Sequence, residues 1–225
     1  MFITNEGKDG AGKSTGSKYL AEKFEKDGNT VHQIHFPNYE TPIGELIGDI
    51  INGRKPMISF DALQMLYVAD QQSWQDKIKD WLYEGHVVIC DRYDLSTIAY
   101  YSSKTGINLD STMALIYEHW QVGLTTPDHT LIYECESHVT ERRPGTFLDT
   151  MEIDTVIREA IDDVYSELGD KMSCSRSIVS IDTNGTIENT RDQIDSFYNG
   201  LKAQLDGFHI KNLFPSNKNK SIEPF

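Results

Sequence analysis

The chain has 225 residues, of which 21 are basic and 35 acidic, giving a formal net charge of −14. This length fits one α/β domain with its own core, and the composition argues against a disordered, collagen-like or coiled-coil protein. A chain this acidic lacks the broad positive surface that binds nucleic acid polymers or anionic membranes.

Cysteine content and hydropathy predict the cellular compartment. The three scattered cysteines argue against a disulfide framework or a structural zinc site, and they favour a reducing environment. The chain shows no signal-like leader, and no apolar run approaches the roughly 20 residues that cross a bilayer. We therefore expect a cytoplasmic protein without a membrane anchor.

Hydrophobic patterns predict strands that alternate with helices up to residue 205. Apolar or alternating runs predict five strands, at residues 2–6, 30–36, 86–91, 130–133 and 177–181. Helical spacing predicts helices at residues 13–27, 42–53, 59–84, 94–124 with a break near Gly106, 152–168 and 186–205. Strands separated by helices predict an α/β fold, with a five-stranded parallel sheet and helices on both faces. A ligand is then expected at the C-terminal ends of the strands.

The last twenty residues differ in composition from the rest. Residues 206–225 are rich in asparagine, lysine and proline, which predicts a peripheral tail without helix or strand.

A glycine-rich loop follows the first strand and opens the first helix. Its sequence fits the phosphate-loop pattern G-x-x-x-x-G-K-[ST] at every fixed position. Glycines let successive backbone N–H groups point at a phosphate, Lys13 can reach the β and γ phosphates, and the Ser14 hydroxyl can hold Mg²⁺. The predicted ATP-binding residues are Gly7, Lys8, Asp9, Gly10, Ala11, Gly12, Lys13, Ser14 and Thr15.

A second charged cluster stands at the end of the third strand. Asp91 lies where a carboxylate would stand near Mg²⁺ bound by the phosphate loop. Arg92 follows it directly, which suggests a second anion beside the metal. A strand-end carboxylate that caps the next helix is the structural alternative.

The residues around this cluster resemble a known family. The segment 91–100 is similar to the D-R-Y-x-x-S-x-x-A-Y/F motif of thymidylate kinases, and residues 6–15 resemble their E-G-x-D-G-x-G-K-S-T loop. Phe36 and Pro37 resemble the F-P motif that follows the second strand. The resemblance covers residues 2 to about 205 and implies a kinase domain at 1–205. It further implies a P-loop fold and a cytoplasmic homodimer that phosphorylates dTMP to dTDP with ATP and Mg²⁺.

The resemblance also implies roles in the acceptor site. Asp9 is similar to the carboxylate that accepts a hydrogen bond from the 3′-hydroxyl of the nucleoside monophosphate. Arg92 is similar to the arginine that binds the phosphate of this acceptor. Tyr100 resembles the aromatic residue under the sugar, and Tyr67 the one stacked on thymine. The acceptor-binding residues are then Asp9, Phe36, Pro37, Tyr39, Tyr67, Gln71, Arg92, Ser96 and Tyr100.

A lid is expected at about residues 136–150. Arg142 and Arg143 lie beside a flexible Pro-Gly turn, as a closing loop that excludes water would require. Family members without a basic residue in the phosphate loop place the catalytic arginine in the lid, and this loop has Gly10 at that position. The resemblance therefore implies the catalytic residues Lys13, Asp91, Arg92, Arg142 and Arg143, and the metal ligands Ser14 and Asp91.

Some positions depart from the family. An arginine usually follows the F-P motif, whereas this chain has Asn38 and Tyr39, which offer only neutral hydrogen bonds. The base-reading arginine of the long helix is replaced by Gln71, whose amide could donate to thymine O4 and accept from N3–H, or suit another base edge. Thr97 and Glu134 also differ from the usual residues.

Three functions remain open from the sequence. The first is phosphorylation of dTMP by a homodimer, whose interface would include an apolar helix face near Leu63, Leu66 and Ile78. The second is a kinase of the same fold for another deoxynucleotide or a deoxynucleoside, although only Glu40 could serve as a general base. The third is a P-loop ATPase or nucleotide-dependent binding protein, disfavoured because no Gln or Glu stands beside Asp91 to orient water.

Overall fold

A single parallel sheet organises the chain. The computed structural model describes residues 1–140 and 155–213, and it describes the side chains there except those of residues 137, 155 and 205–213. All neighbouring strands are parallel, in the order β2-β3-β1-β4-β5. The strands are β1 Phe2–Glu6, β2 Val31–His35, β3 Val87–Asp91, β4 His129–Glu134 and β5 Ser177–Asp182. The predicted five-stranded parallel sheet is thus confirmed.

Helices cover both faces of the sheet, as predicted. Those within the described ranges are α1 Lys13–Lys26, α2 Pro42–Ile51, α3 Phe60–Ser73, α4 Gln75–Tyr83, α5 Asp94–Thr105, α6 Leu109–Leu115, α7 Ser137–Thr140, α8 Thr155–Met172 and α9 Ile187–Leu213. A π-helical turn, Ile116–Trp120, follows α6. Gly106 ends α5 with φ 70°, which is the predicted break.

Two apolar layers hold the helices to the sheet. Successive residues of a strand point to opposite faces, so Leu131 packs in the layer that contains α1 and α9, and Ile132 packs in the layer that contains α5 and α8. The central strand β1 is buried along its whole length. Because both of its faces are covered, its C-terminal end is held firmly where the glycine-rich loop begins.

The predicted long helix after Ser59 is two helices with a break at Trp74. The Ser73 hydroxyl donates to the carbonyl of Asp70, and the Trp74 N–H bonds to Gln71 three residues back instead of four. Such local bonds compete with the regular helical pattern. The apolar spacing continues through Trp81, which is why the pattern alone predicts one helix.

The predicted dimer face is wrong in two of its three residues. Leu63 and Ile78 have no exposed surface in the single chain, because Leu63 packs against α2 and Ile78 packs under β3. Leu66 is only partly buried. The apolar stripe of α3 and α4 therefore packs mainly inside the core of a single chain.

The last helix extends further than expected. Residues 206–213 continue α9, so the prediction of a tail without helix is wrong for this stretch. The first proline after the start of α9 is Pro215, and the single glycine of this stretch, Gly207, disfavours helix much less than a proline does. Residues 214–225 and most of the expected lid, with Arg142 and Arg143, lie outside the described residues. Within the described ranges, no helix is both long and apolar enough to cross a bilayer.

Candidate active site

The glycine-rich loop lies at the C-terminal end of the sheet and packs directly on β4. Gly7 has φ 133°, and a Cβ at this position would lie 2.5 Å from the carbonyl oxygen of Tyr133. Only glycine fits both this conformation and this close approach. Gly12, with φ 97°, then leads into α1, whose first residues line the cleft described below.

The two lysines of the loop have different surroundings. Lys13 is nearly buried, lines the cleft, and its Nζ donates to the carbonyl of Lys8 at 2.7 Å. The Lys8 side chain has no exposed surface and forms an ion pair with Asp162 on α8. The Lys8 side chain does not line the cleft, so ATP binding at this position stays a prediction for the loop backbone. The motif leaves this position variable, and here its side chain fastens the loop to α8.

Ser14 and Asp91 stand together as the sequence predicts for a metal site. The Ser14 hydroxyl donates to Asp91 Oδ2 at 2.7 Å. Asp91 Oδ1 is buried and has no hydrogen-bond partner among the described residues. A hydroxyl and a carboxylate with an unused oxygen are ligands that Mg²⁺ prefers. The residues present thus fit this cation.

Arg92 stands in a strained turn directly after β3. Its φ of 62° is unusual for a residue with a side chain. The Arg92 N–H donates to the carbonyl of Asn5, and the Tyr93 N–H donates to Glu6 Oε1, each at 2.9 Å. These bonds from β1 hold a backbone shape that costs free energy, as is common where a functional side chain must be aimed.

The strained turn aims Arg92 at Asp9 of the glycine-rich loop. The two side chains form an ion pair, and the Arg92 guanidinium lies 5.2 Å from the ring centre of Tyr100. Burial alone would raise the pKa of Asp9, but the charges of Arg92 and Lys13 outweigh it, so the pKa lies below its ordinary value. Asp9 therefore stays ionised at neutral pH, available to accept a hydrogen bond.

Glu6 ends β1 directly before the glycine-rich loop, and the sequence predicted no role for it. Besides Tyr93, it accepts hydrogen bonds from the Ser96 hydroxyl at 2.5 Å and the Tyr165 hydroxyl at 3.2 Å. Full burial, followed by the charge of Asp94, raises the pKa of Glu6 to about 7. Glu6 thus connects β1, the turn at Arg92 and α8. Its position as the acidic residue that opens the E-G-x-D-G-x-G-K-S-T loop is the signal that could have found it.

Arg158 is a second residue that sequence reasoning missed. It lies on α8, is almost completely buried, and donates to the hydroxyl of Thr140. Its charge helps to lower the pKa of Asp9. Arg158 is the one basic residue among eight carboxylates in residues 149–170, and this contrast was the available signal.

One cleft of about 900 Å³ brings most of the predicted residues together. Those that line it are Asp9, Gly10, Gly12, Lys13, Ser14, Thr15, Phe36, Pro37, Tyr39, Tyr67, Gln71, Asp91, Arg92, Ser96 and Tyr100. Gly7, Lys8 and Ala11 do not line it. Asn38 is buried away from it, where its backbone N–H bonds to Asp70 and its side-chain oxygen accepts from the N–H of Glu40. Asn38 therefore does not replace the missing arginine.

The opposite end of the cleft was not predicted. It is lined by Tyr19 of α1 and by residues of the β5–α9 connection and of α9, namely Thr183, Gly185, Thr186, Ile187, Thr190 and Arg191. The Arg191 guanidinium lies 5.1 Å from the ring centre of Tyr19. The cleft therefore extends on both sides of the glycine-rich loop and can hold two ligands that meet beside Lys13.

Comparisons with known proteins agree with this geometry. The family model described as thymidylate kinase matches residues 6–194. A thymidylate kinase of Neisseria meningitidis is 31% identical over 207 residues, which are 89% of this chain and 97% of the relative. One from Ectopseudomonas mendocina is 35% identical over 136 residues, covering 60% of this chain and 63% of the relative. The chain thus aligns with about three fifths of that relative's length.

A solved structure shows the same fold. A thymidylate kinase from Candida albicans superposes with a TM-score of 0.77 and 25% identity, covering 89% of this chain and 92% of that one. The family match covers the glycine-rich loop, the turn at Arg92 and α8, which together form the site. The chain belongs to the thymidylate kinase family.

Proposed function

We propose that the protein transfers the γ-phosphoryl group of ATP to dTMP, giving ADP and dTDP. The observation that carries this proposal is the ion pair between Asp9 and Arg92 beside Lys13. ATP binding alone has no use for a carboxylate among phosphate-facing amides. A second substrate with both a sugar hydroxyl and a phosphate accounts for both charges.

In the proposed reaction a phosphate oxygen of dTMP attacks the γ-phosphorus of ATP. That oxygen is already anionic, so no strong general base is needed, and positioning and charge neutralisation supply the catalysis. Arg92 holds the acceptor phosphate, and Lys13 neutralises charge on the β and γ oxygens of the donor. Asp9 accepts a hydrogen bond from the 3′-hydroxyl of the sugar.

Mg²⁺ belongs to the proposal as the cofactor. Ser14 and Asp91 would hold it, because their oxygens are adjacent and Asp91 Oδ1 lacks a partner among the described residues. When bound, the cation neutralises charge on the transferred phosphoryl group. Arg142 and Arg143 remain the proposed lid cations that add to this neutralisation and exclude water.

The two ends of the cleft suggest where each base binds. Tyr67, Gln71 and Tyr100 surround the end that we assign to dTMP, with Tyr67 stacked on its base. The end lined by Tyr19, Thr186 and Arg191 is assigned to the adenine of ATP. Phosphates of both substrates then converge on Lys13 and Arg92.

A cytoplasmic homodimer is the assembly that we propose, in line with the family resemblance. Because Leu63 and Ile78 serve the core, the interface needs other apolar groups. Met57 and Ile58 before α3 and Met65 on its outer side are exposed and suit this role. Size-exclusion chromatography with light scattering should give twice the mass of one chain. The M65D variant should give a lower mass, closer to that of one chain.

The activity is tested by separating the products. The protein is incubated with Mg²⁺ and ATP plus dTMP, thymidine or no acceptor, and nucleotides are resolved by ion-exchange chromatography. We expect dTDP and ADP in equal amounts with dTMP only. Phosphorylation of thymidine would instead indicate a nucleoside kinase, and ADP without acceptor would indicate an ATPase.

A further inference from the structure

Gln71 is held in one orientation at the acceptor end of the cleft. It lies on α3, its side chain is 2% exposed, and it lines the cleft. Its Nε2 donates to the backbone carbonyl of Tyr93 at 3.0 Å. A carbonyl oxygen can only accept a hydrogen bond, so the amide nitrogen must face it. The orientation of the Gln71 oxygen is therefore fixed by chemistry rather than by a choice between two similar atoms.

Neighbouring contacts reinforce this orientation. Gln75, one turn further along at the start of α4, donates through Nε2 to the Tyr93 hydroxyl at 3.0 Å and to the backbone carbonyl of Gln71 at 2.9 Å. Tyr93 is itself completely buried between the F-P motif and the sheet. The backbone that Gln71 bonds to is therefore held in place, and rotation of the Gln71 amide would break the buried hydrogen bond to the Tyr93 carbonyl.

The Gln71 oxygen, in contrast, lacks a partner. Oε1 is buried and accepts no hydrogen bond from any described residue. Buried polar atoms are nearly always paired, and an unpaired one in a cleft points to a ligand that supplies the missing group. Because Oε1 is a neutral acceptor, that group must be a donor, and on a nucleobase the donors are N–H groups.

We propose that Gln71 Oε1 reads the ring N–H of the acceptor base, so that the enzyme takes deoxynucleoside monophosphates whose base carries this group. The inference rests on the proposed function and specifies its substrate class. Thymine and uracil present N3–H, and guanine and hypoxanthine present N1–H. Cytosine and adenine carry a lone pair on the corresponding nitrogen, and two acceptors would then face each other. One of the two N–H groups on Gln71 Nε2 donates to Tyr93, so the expected contact with thymine O4 needs the second N–H and stays a prediction, whereas the present proposal depends on Oε1 alone.

A size-matched pair of substrates tests the reading of the N–H group. dTMP and 5-methyl-dCMP share the ring size and the 5-methyl group; they differ in protonation at N3 and in the group at C4, which is an oxygen in dTMP and an amino group in 5-methyl-dCMP. With saturating ATP and Mg²⁺, we expect kcat/KM for dTMP to exceed that for 5-methyl-dCMP by at least about tenfold, the effect of one unpaired buried acceptor. 4-Thio-dTMP keeps N3–H and loses the oxygen at position 4, so we expect it to stay within about threefold of dTMP.

Purine substrates test the substrate class. We expect dGMP and dIMP to be phosphorylated at least about tenfold more efficiently than dAMP, which resembles them in size but lacks N1–H. Rejection of both dGMP and dIMP, or equal use of dAMP, would overturn the class. Equal use of dTMP and 5-methyl-dCMP would overturn the role of Oε1.

A pair of variants assigns the effect to Gln71. Q71M keeps the length of the side chain and removes the amide, so the preference for dTMP over 5-methyl-dCMP should fall below about threefold. Q72M is the matched control, because Gln72 is adjacent on α3, donates to the carbonyl of Val122, and does not line the cleft. Its preference should equal that of the unmodified protein. Retention of the full preference in Q71M would contradict the proposal.

Failure of this inference is distinguishable from failure of the proposed function. If no monophosphate is phosphorylated, the kinase activity itself is wrong. If monophosphates are phosphorylated without regard to the ring N–H, only the role of Gln71 is wrong. The substrate comparison uses the unmodified protein and gives a decision even if Q71M does not fold.

Discussion

The phenol of Tyr133 occupies the space that a side chain at position 16 would need. A Cβ built on Gly16 would lie 2.2 Å from Tyr133 Oη and 2.6 Å from its Cε1. Gly16 is in the first turn of α1, directly after the glycine-rich loop, and Tyr133 is on β4. Together with the contact of Gly7 on the same strand, this packing sets the distance between the loop and the sheet.

We predict that G16A destabilises the protein by roughly 1–3 kcal/mol and raises KM for ATP, because the added methyl forces Tyr133 and the loop apart. In a Y133L background the same substitution should cost much less, since the ring is gone. Urea unfolding of the two single variants and the double variant measures this coupling. Additive free energies of unfolding would show that the two residues do not compete for space.

Lys8 should matter for stability rather than for ATP binding. Its ammonium is completely buried against Asp162, whose side chain is 37% exposed. K8M removes the ion pair that holds the loop to α8, so we expect a lower melting temperature; the decrease should be modest because Asp162 keeps access to water, and the KM for ATP should stay within about threefold of the original. K13M is the comparison, because Lys13 lines the cleft, and its kcat should fall by at least about a hundredfold. A large rise in KM for K8M would return Lys8 to the nucleotide site.

Glu6 should make stability fall as pH rises towards neutrality. The pKa of Glu6 is raised from 4.5 to about 7 by burial, so between these values the folded chain holds a proton that the unfolded chain has released. Folding is therefore most favoured by this group below pH 4.5, and roughly 3 kcal/mol is lost by pH 7. E6Q should remove this part of the slope in melting temperature against pH, whereas E45Q, at an exposed position on α2, should keep it. Identical slopes for E6Q and the original protein would contradict the raised pKa.

The requirement for Mg²⁺ should depend on Asp91. D91N keeps the size of the side chain but weakens its oxygen as a metal ligand, so the Mg²⁺ concentration for half-maximal activity should rise at least about tenfold. D80N, at an exposed position of α4, should leave the requirement unchanged. Titrating Mg²⁺ at fixed ATP in a coupled ADP assay measures both. An unchanged requirement in D91N would place the cation elsewhere.

Local patterns predicted the elements of this fold well because each one depends on near neighbours. The apolar run before Asp91 predicts a buried parallel strand, and the spacing of Gly7, Gly12 and Lys13 predicts a loop between a strand and a helix. The division of the long helix at Trp74 depends instead on side-chain bonds that periodicity does not reveal. The end of α9 was missed because composition alone suggested a tail.

Contacts between distant parts of the chain could not be predicted from the sequence. The motif does not indicate that Lys8 forms an ion pair with Asp162, 154 residues away. Nor does the sequence indicate that the Gln71 amide nitrogen donates to the carbonyl of Tyr93. Leu63 and Ile78 show the same limit, because an apolar helix face looks alike whether it covers the core or a second copy. Roles that require a partner in space therefore needed the structure.

The most direct test of the proposed phosphoryl transfer is the dTMP-dependent kcat/KM of R92A. Removing the guanidinium takes away the ion-pair partner that Asp9 has in Arg92 and the cation proposed for the acceptor phosphate, so we predict a loss of roughly 10²–10³-fold. R54A is the matched control, because Arg54 is exposed and pairs with Asp49 at the end of α2; it should keep its activity. Activity of R92A within about threefold of the unmodified protein would contradict the proposed role of the Asp9–Arg92 pair and, with it, the proposed acceptor site.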